Sequence, residues 1–199
     1  MDAEKTNSKT PLRYCTSLVC AVLAMSAGAA RAEPDGSNWW KPNQVFVQAG
    51  IAEDAKALTA GLVWMTDWSR AFRAGVFNLY WEVSFGRWSA DQPSGSSGSS
   101  WVTQVGLTPV LRWYPGGGST RWFMEGGIGA NAVLPIYRSR DKRFSTTFNL
   151  GSHLAVGIPF GDQDRHELAL RLQHFSNAGI RRPNPGEDFV QLRYTFRFR

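Results

Sequence analysis

Phe189-Val190-Gln191-Leu192-Arg193-Tyr194-Thr195-Phe196-Arg197-Phe198-Arg199 alternates strictly from Val190 onward. Val190, Leu192, Tyr194, Phe196 and Phe198 fall on one side of an extended chain, and Gln191, Arg193, Thr195 and Arg197 on the other. An apolar residue at every second position is the period of a β-strand with one face in an apolar medium. Two arginines on the minor face show that this side is polar rather than merely less apolar.

The same period recurs through most of the chain. Gln44 to Ala52 places Val45, Val47, Ala49 and Ile51 on one face, and Leu58, Ala60, Leu62 and Trp64 form the next stripe. Arg70 to Phe85 begins with Phe72, Ala74 and Val76 and continues with Trp81, Val83 and Phe85, a change of parity that predicts a bulge. Trp101–Trp113, Trp122–Leu134, Phe148–Ile158 and His166–Ser176 alternate in the same way, with Arg112, Glu125, His153 and Arg171 on their polar faces. With Phe189–Arg199 these make eight strands.

The N-terminal segment reads differently. Met1 to Arg13 is polar and carries Lys5, Lys9 and Arg13; Tyr14 to Ala27 is mostly apolar and uncharged; Ala30-Arg31-Ala32 is a small-x-small site. That order is a secretory signal peptide, 1–32, cut after Ala32, with 33–199 as the exported domain. The apolar run is shorter than the roughly 20 residues that cross a bilayer as a helix. Cys15 and Cys20 both lie in the leader, so the exported part carries no disulfide. A formal net charge of +6 is modest and does not by itself choose a partner.

Export, 20 Gly, 9 Trp, 12 Phe and no long apolar run point to an all-β, eight-stranded antiparallel transmembrane β-barrel. Closure is required because lipid cannot satisfy an open sheet edge. A barrel of this size is filled by its own side chains and is not a pore. A soluble lipocalin-like barrel has the same alternation with its apolar face inward. The aromatics near strand ends (Trp64, Trp81, Trp88, Trp101, Trp113, Trp122, Tyr194 and Phe198) read as interfacial girdles and favour the membrane. Connector lengths then orient it. Short turns are expected at Thr66–Ser69, Pro115–Ser119 and Gly161–Asp164, on the periplasmic side with both termini. The longer Trp88–Ser100, Tyr137–Ser145 and Asn177–Glu187 fall outside, with the short Glu53–Lys56.

The chemistry concentrates in Gln173-His174-Phe175-Ser176-Asn177-Ala178-Gly179-Ile180 and Pro183-Asn184-Pro185-Gly186-Glu187-Asp188. His174 and Ser176, two apart on a strand, share a face, and it is the face of Leu168, Leu170 and Leu172. A His and a Ser on the lipid side are costly unless they act. Serine needs a base to become a nucleophile, histidine supplies it, and a carboxylate holds the imidazole in the right tautomer. Parity with Val190 and Leu192 puts Asp188 on the same face and Glu187 inward, provided no bulge intervenes. Asn177 and the Ala178 and Gly179 backbone are candidates to hold a developing oxyanion. The plainer reading is that Ser-Asn-Ala-Gly is turn chemistry and His174 an interfacial aromatic.

His-Phe-Ser-Asn-Ala-Gly followed by Pro-Asn-Pro-Gly and an acid resembles the C-terminal signature of the lipid A 3-O-deacylases, the PagL family. The resemblance is specific over Gln173–Asp188 and looser over the eight-strand plan. It implies a serine esterase of the Gram-negative outer membrane, its active site facing the outer leaflet, that cleaves the ester-linked acyl chain at the 3 position of lipid A in lipopolysaccharide. It implies His174 as base, Ser176 as nucleophile and Asn177 as needed for activity. The family's acid is a Glu, whereas an ungapped reading puts Asp188 there, so Glu187 and Asp188 both stand as candidates.

Other residues rank lower. His153 is expected inside, hydrogen-bonded, and His166 at the periplasmic end. The run Arg138, Arg140, Lys142, Arg143 is either a solvated loop or a contact for lipid A phosphates, and Arg181 and Arg182 are better placed for phosphate. No metal-ligand spacing, cofactor motif or nucleic-acid-binding helix is present. Two competing functions remain. One is a non-catalytic lipopolysaccharide-binding or structural barrel; the other is an acyltransferase of the same architecture. The oligomeric state stays open, a homodimer included.

Overall fold

The computed structural model describes residues 40–92 and 99–198. The signal peptide and its cleavage after Ala32 lie outside the described residues. Eight strands run in order: β1 (Gln44–Ile51), β2 (Ala55–Phe72), β3 (Gly75–Asp91), β4 (Ser99–Pro115), β5 (Phe123–Leu134), β6 (Phe148–Phe160), β7 (His166–Ser176) and β8 (Glu187–Arg197). Each pairs antiparallel with the next, and β8 closes on β1, so the sheet has no free edge. Phe198 N–H donates to Asn43 C=O at 2.8 Å, which fastens the C-terminal end beside the start of β1.

The faces decide between the two barrel readings. Leu58, Leu154, Leu172 and Leu192 are exposed outside, while Glu82, Arg112, Glu125, Glu167, Arg171 and Arg193 are buried inside. A soluble barrel would reverse this arrangement, so the outer face is one for lipid. The buried charges are tolerable because they are paired. Arg112 bridges Glu125 and Glu167, both at 2.8 Å; Arg171 bridges Glu82 and Glu125, both at 3.1 Å; and Arg193 closes on Glu82. This lattice ties five strands together through the lumen. Towards the chain termini it is underlain by Phe46, Val63, Tyr80 and Val110. Towards the opposite end it is capped by an aromatic layer of Trp88, Tyr137, Phe144, Phe175 and Phe189.

Three sequence expectations are corrected here. Thr66-Asp67-Trp68-Ser69 is not a turn: β2 continues through it, and its register against β3 shifts between Met65 and Ser69. Thr66 explains the difference, since its hydroxyl donates to Leu79 C=O at 2.7 Å and accepts from Trp68 N–H at 3.2 Å. Turn-type residues here satisfy a bulge instead of reversing the chain. The reversal comes at Arg73-Ala74, followed by Gly75 at φ 142°. The bulge expected within Arg70–Phe85 is absent: that stretch is the end of β2, the turn and the start of β3, so the chain reversal changes the parity, and β3 pairs with β4 without interruption. Trp88, the third correction, is not an interfacial aromatic. It is buried in the lumen, with Phe175 and Phe189 at ring separations of 4.8 and 4.9 Å.

Candidate active site

Strand alternation builds the site. On β7, Phe175 points into the aromatic layer, so His174 and Ser176 on either side of it must point out. On β8, Phe189 points in and Asp188 out. The ladder sets His174 directly opposite Asp188, and Nδ1 lies 2.7 Å from Asp188 Oδ1. An ionised carboxylate can only accept, so this contact places the proton on Nδ1 and leaves Nε2 as the free base. Ser176, one same-face step along β7, stands about 6–7 Å further along the strand. Ser152 of β6 is the neighbour of His174 on its other side.

Gly186 shapes the pocket of the imidazole. It has φ 71°, and a β-carbon there would lie 2.6 Å from His174 Cε1. Only glycine allows this close approach at a left-handed position.

Asn177 does not lie open as a donor for an oxyanion. It is buried; its Nδ2 donates to Ser145 Oγ at 2.9 Å and to Arg181 C=O at 2.7 Å. Its Oδ1 accepts from Gly179 N–H at 3.0 Å, and its own N–H donates to Asn184 Oδ1 at 3.0 Å. All three groups are therefore occupied in folding the loop, and the Gly179 N–H with them. Ala178 N–H and Asn184 Nδ2 make no hydrogen bond among the described residues. Ala178 has φ 52°, so the chain turns sharply immediately after Ser176-Asn177.

Glu187 lies on the other side of β8, fully buried. It accepts from Tyr137 Oη at 2.6 Å and from Lys142 Nζ at 2.9 Å. The inward-facing Arg171 and Arg193 are not its partners; both are engaged in the central lattice. Burial, reinforced by the Glu187 bond, pushes the Tyr137 phenol well above its ordinary range. Burial works against the Lys142 ammonium, but the bond and charge of Glu187 outweigh it and raise its pKa.

Arg181 and Arg182 are exposed on the loop between β7 and β8. His153 is inside as expected, but neither ring nitrogen has a hydrogen-bond partner in the barrel. His166 pairs with Tyr194 Oη at 2.7 Å, at the opposite end of β7 from His174. No group of three His, Cys, Asp or Glu able to hold a metal occurs among the described residues. The sequence places Asn184 and Gly186 in the Pro-Asn-Pro-Gly stretch without showing a role for either, and it gives no sign of Ser145 or of the inward turn of Trp88.

The model of the family "Lipid A 3-O-deacylase (PagL)" matches residues 57–197. The chain is 35% identical to the lipid A deacylase PagL of Bordetella bronchiseptica over 178 residues, 88% of this chain and 92% of that one. It is 28% identical to the lipid A deacylase PagL of Pseudomonas aeruginosa over 138 residues, 67% of this chain and 73% of that one. Its fold is similar to the crystal structure of the outer membrane enzyme PagL, with a TM-score of 0.66 and 24% identity, over 78% of this chain and 99% of that chain.

Proposed function

The chain belongs to the lipid A 3-O-deacylase (PagL) family, and from that premise we propose that Ser176 is its nucleophile, His174 its base and Asp188 the acid that orients the base. The protein is an outer-membrane lipid A 3-O-deacylase, and so a hydrolase of an acyl ester of lipid A. The observation that carries the residue assignment is the contact of His174 Nδ1 with Asp188 Oδ1 at 2.7 Å, on the lipid-facing side that Ser176 shares.

In this mechanism Ser176 Oγ attacks the carbonyl carbon of the acyl chain at position 3, and its proton passes to His174 Nε2. Asp188 stabilises the imidazolium that forms. Collapse of the tetrahedral intermediate breaks the bond to the sugar oxygen, which takes the proton from His174. Water, deprotonated by the same histidine, then cleaves the acyl-serine ester and releases the fatty acid. The oxyanion needs donors that are not already occupied. Ala178 N–H and the Asn184 amide meet that condition, while Asn177 and Gly179 contribute by folding the loop that carries them. Arg181 and Arg182 lie exposed on that loop and suit the phosphates of the substrate.

The active site faces the outer leaflet in this reading. His174, Ser176 and Asp188 sit at the barrel end away from the termini, where the connectors between β5 and β6 and between β7 and β8 are longest. Mass spectrometry of lipid A from cells carrying the wild-type protein should show loss of the 3-linked acyl chain, and cells carrying Ser176→Ala should retain it. Equal deacylation by both would refute the nucleophile. Trypsin added to intact cells should cut within Tyr137–Ser145, if anywhere, and spare Arg165 at the end of the Gly161–Asp164 turn; the reverse pattern would invert the barrel.

A further inference from the structure

The connector between β5 and β6 is built as a strap across the barrel mouth. Tyr137, Ser139 and Phe144 are buried beneath it. Tyr137 donates to Glu187, Ser139 Oγ to Asp54 at 3.2 Å, and Phe144 N–H to Tyr137 C=O at 3.0 Å. Such anchoring removes the freedom of an ordinary solvated loop.

The cations of the strap divide into two kinds. Arg140 pairs with Asp91 at 3.4 Å, and Lys142 with Glu187 and Glu53. Arg138 and Arg143 instead face each other across an isolated antiparallel β-bridge. Directly opposite residues of such a bridge present their side chains on one face, where like charges repel. Both are exposed, and neither has a carboxylate within salt-bridge distance among the described residues. A rigid strap holding two unneutralised guanidinium groups side by side is arranged for an anion between them.

The strap is also joined to the reactive loop. Ser145, two residues after Arg143, donates its hydroxyl to Arg181 C=O at 2.9 Å and accepts from Asn177 Nδ2. Asn177 directly follows Ser176, so the arginine pair and the nucleophile are fixed to one frame.

We propose that Arg138 and Arg143 form a phosphate clamp that recognises the phosphorylated disaccharide of lipid A and thereby sets which end of the substrate reaches Ser176. The proposal rests on the deacylase reading. Guanidinium groups bind phosphate oxygens in bidentate fashion, and a phosphate between them removes the repulsion across the bridge. The same chemistry would serve phosphates of neighbouring lipids in the leaflet, and the test separates the two sources.

Binding is measured on the full chain carrying Ser176→Ala, in neutral detergent micelles, with diphosphorylated and with enzymatically dephosphorylated lipid A. Adding Arg138→Gln and Arg143→Gln together should weaken binding of the phosphorylated lipid about tenfold and narrow the preference for it over the dephosphorylated one by the same factor. Arg70→Gln, at the opposite end of the barrel, removes a charge and should leave that preference intact. An unchanged preference in the double variant overturns the proposal. So does a preference narrowed only in vesicles containing phosphatidylglycerol, since the pair would then be reading neighbouring lipids. Turnover of lipid A by the protein with Ser176 intact is scored separately. Its absence would sink the deacylase reading while the binding result still decides the clamp.

Discussion

Asp188 stands directly opposite His174 in the β7–β8 ladder, with Oδ1 2.7 Å from Nδ1, while its chain neighbour Glu187 points the other way, onto Tyr137 and Lys142. Adjacent carboxylates thus serve opposite sides of the barrel wall. Asp188→Asn should lower turnover by about 10⁴, because the amide favours the wrong imidazole tautomer. Glu187→Gln should instead loosen the strap, destabilising the fold by about 1–3 kcal/mol while catalysis persists. Steady-state rates on lipid A micelles and urea midpoints of heat-modifiable gel mobility distinguish these effects. A Glu187→Gln protein that is fully folded but silent would reverse the assignment.

Ser176→Ala and His174→Ala should each abolish deacylation in a folded barrel, and the double variant should be no worse than either. Members of one catalytic unit fail together, so their losses do not add. Rates that multiply in the double variant would mean that the two side chains act independently.

Asn177 offers a test between donating to an oxyanion and folding the loop. Its Nδ2 is shared between Ser145 Oγ and Arg181 C=O. If the loop role is right, Ser145→Ala, which removes one of these bonds, should produce a smaller version of the Asn177→Ala loss. A direct oxyanion donor would cost about 10²–10³ when removed. Ser145→Ala would then have almost no effect on kcat, and that result would restore Asn177 as the donor.

The sequence displayed the strands because alternation is a local property, and the parity of β8 put Asp188 on the outer face and Glu187 inward, while the Glu of the family signature kept both acids open. What it hid was non-local. Thr66-Asp67-Trp68-Ser69 has turn composition, yet the bulge depends on Leu79 C=O in another strand. Trp88 looked interfacial because its place at the end of an alternating run says nothing about which face it takes, and it takes the inner one, with Phe175 and Phe189. Ser145 carried no signal at all, since its partner Arg181 lies on a different connector. His174 and Ser176 were legible for the opposite reason: polar residues stood where the stripe of Leu168, Leu170 and Leu172 demanded apolar ones.

Trp88 supports the site from within the barrel, since Phe175 and Phe189 rest on it and their neighbours His174, Ser176 and Asp188 face out. Trp88→Ala should destabilise the barrel by about 3–5 kcal/mol through the cavity left behind. Trp88→Phe keeps an aromatic there and should recover most of that stability. Urea titrations of the three proteins in detergent check this. If Trp88→Ala unfolds at the wild-type midpoint, the aromatic layer does not brace this end of the barrel.

Gly186 provides the sharpest test of how tightly the imidazole must be held. A β-carbon there would lie 2.6 Å from His174 Cε1, and the residue sits at φ 71°. Gly186→Ala therefore combines a backbone cost of about 1–2 kcal/mol with displacement of the ring. Misplacement of a catalytic group by about 1 Å can cost 10²-fold in rate, so kcat should fall by that order while KM changes little. The backbone cost can be controlled separately. Gly117 has φ 67° in the turn between β4 and β5, at the opposite end of the barrel, and a β-carbon there meets nothing within 4 Å. Gly117→Ala carries the same conformational penalty with no imidazole beside it, and should lose stability without losing turnover. If the two variants lose rate in equal measure, the loss follows from general destabilisation, and Gly186 does not position His174.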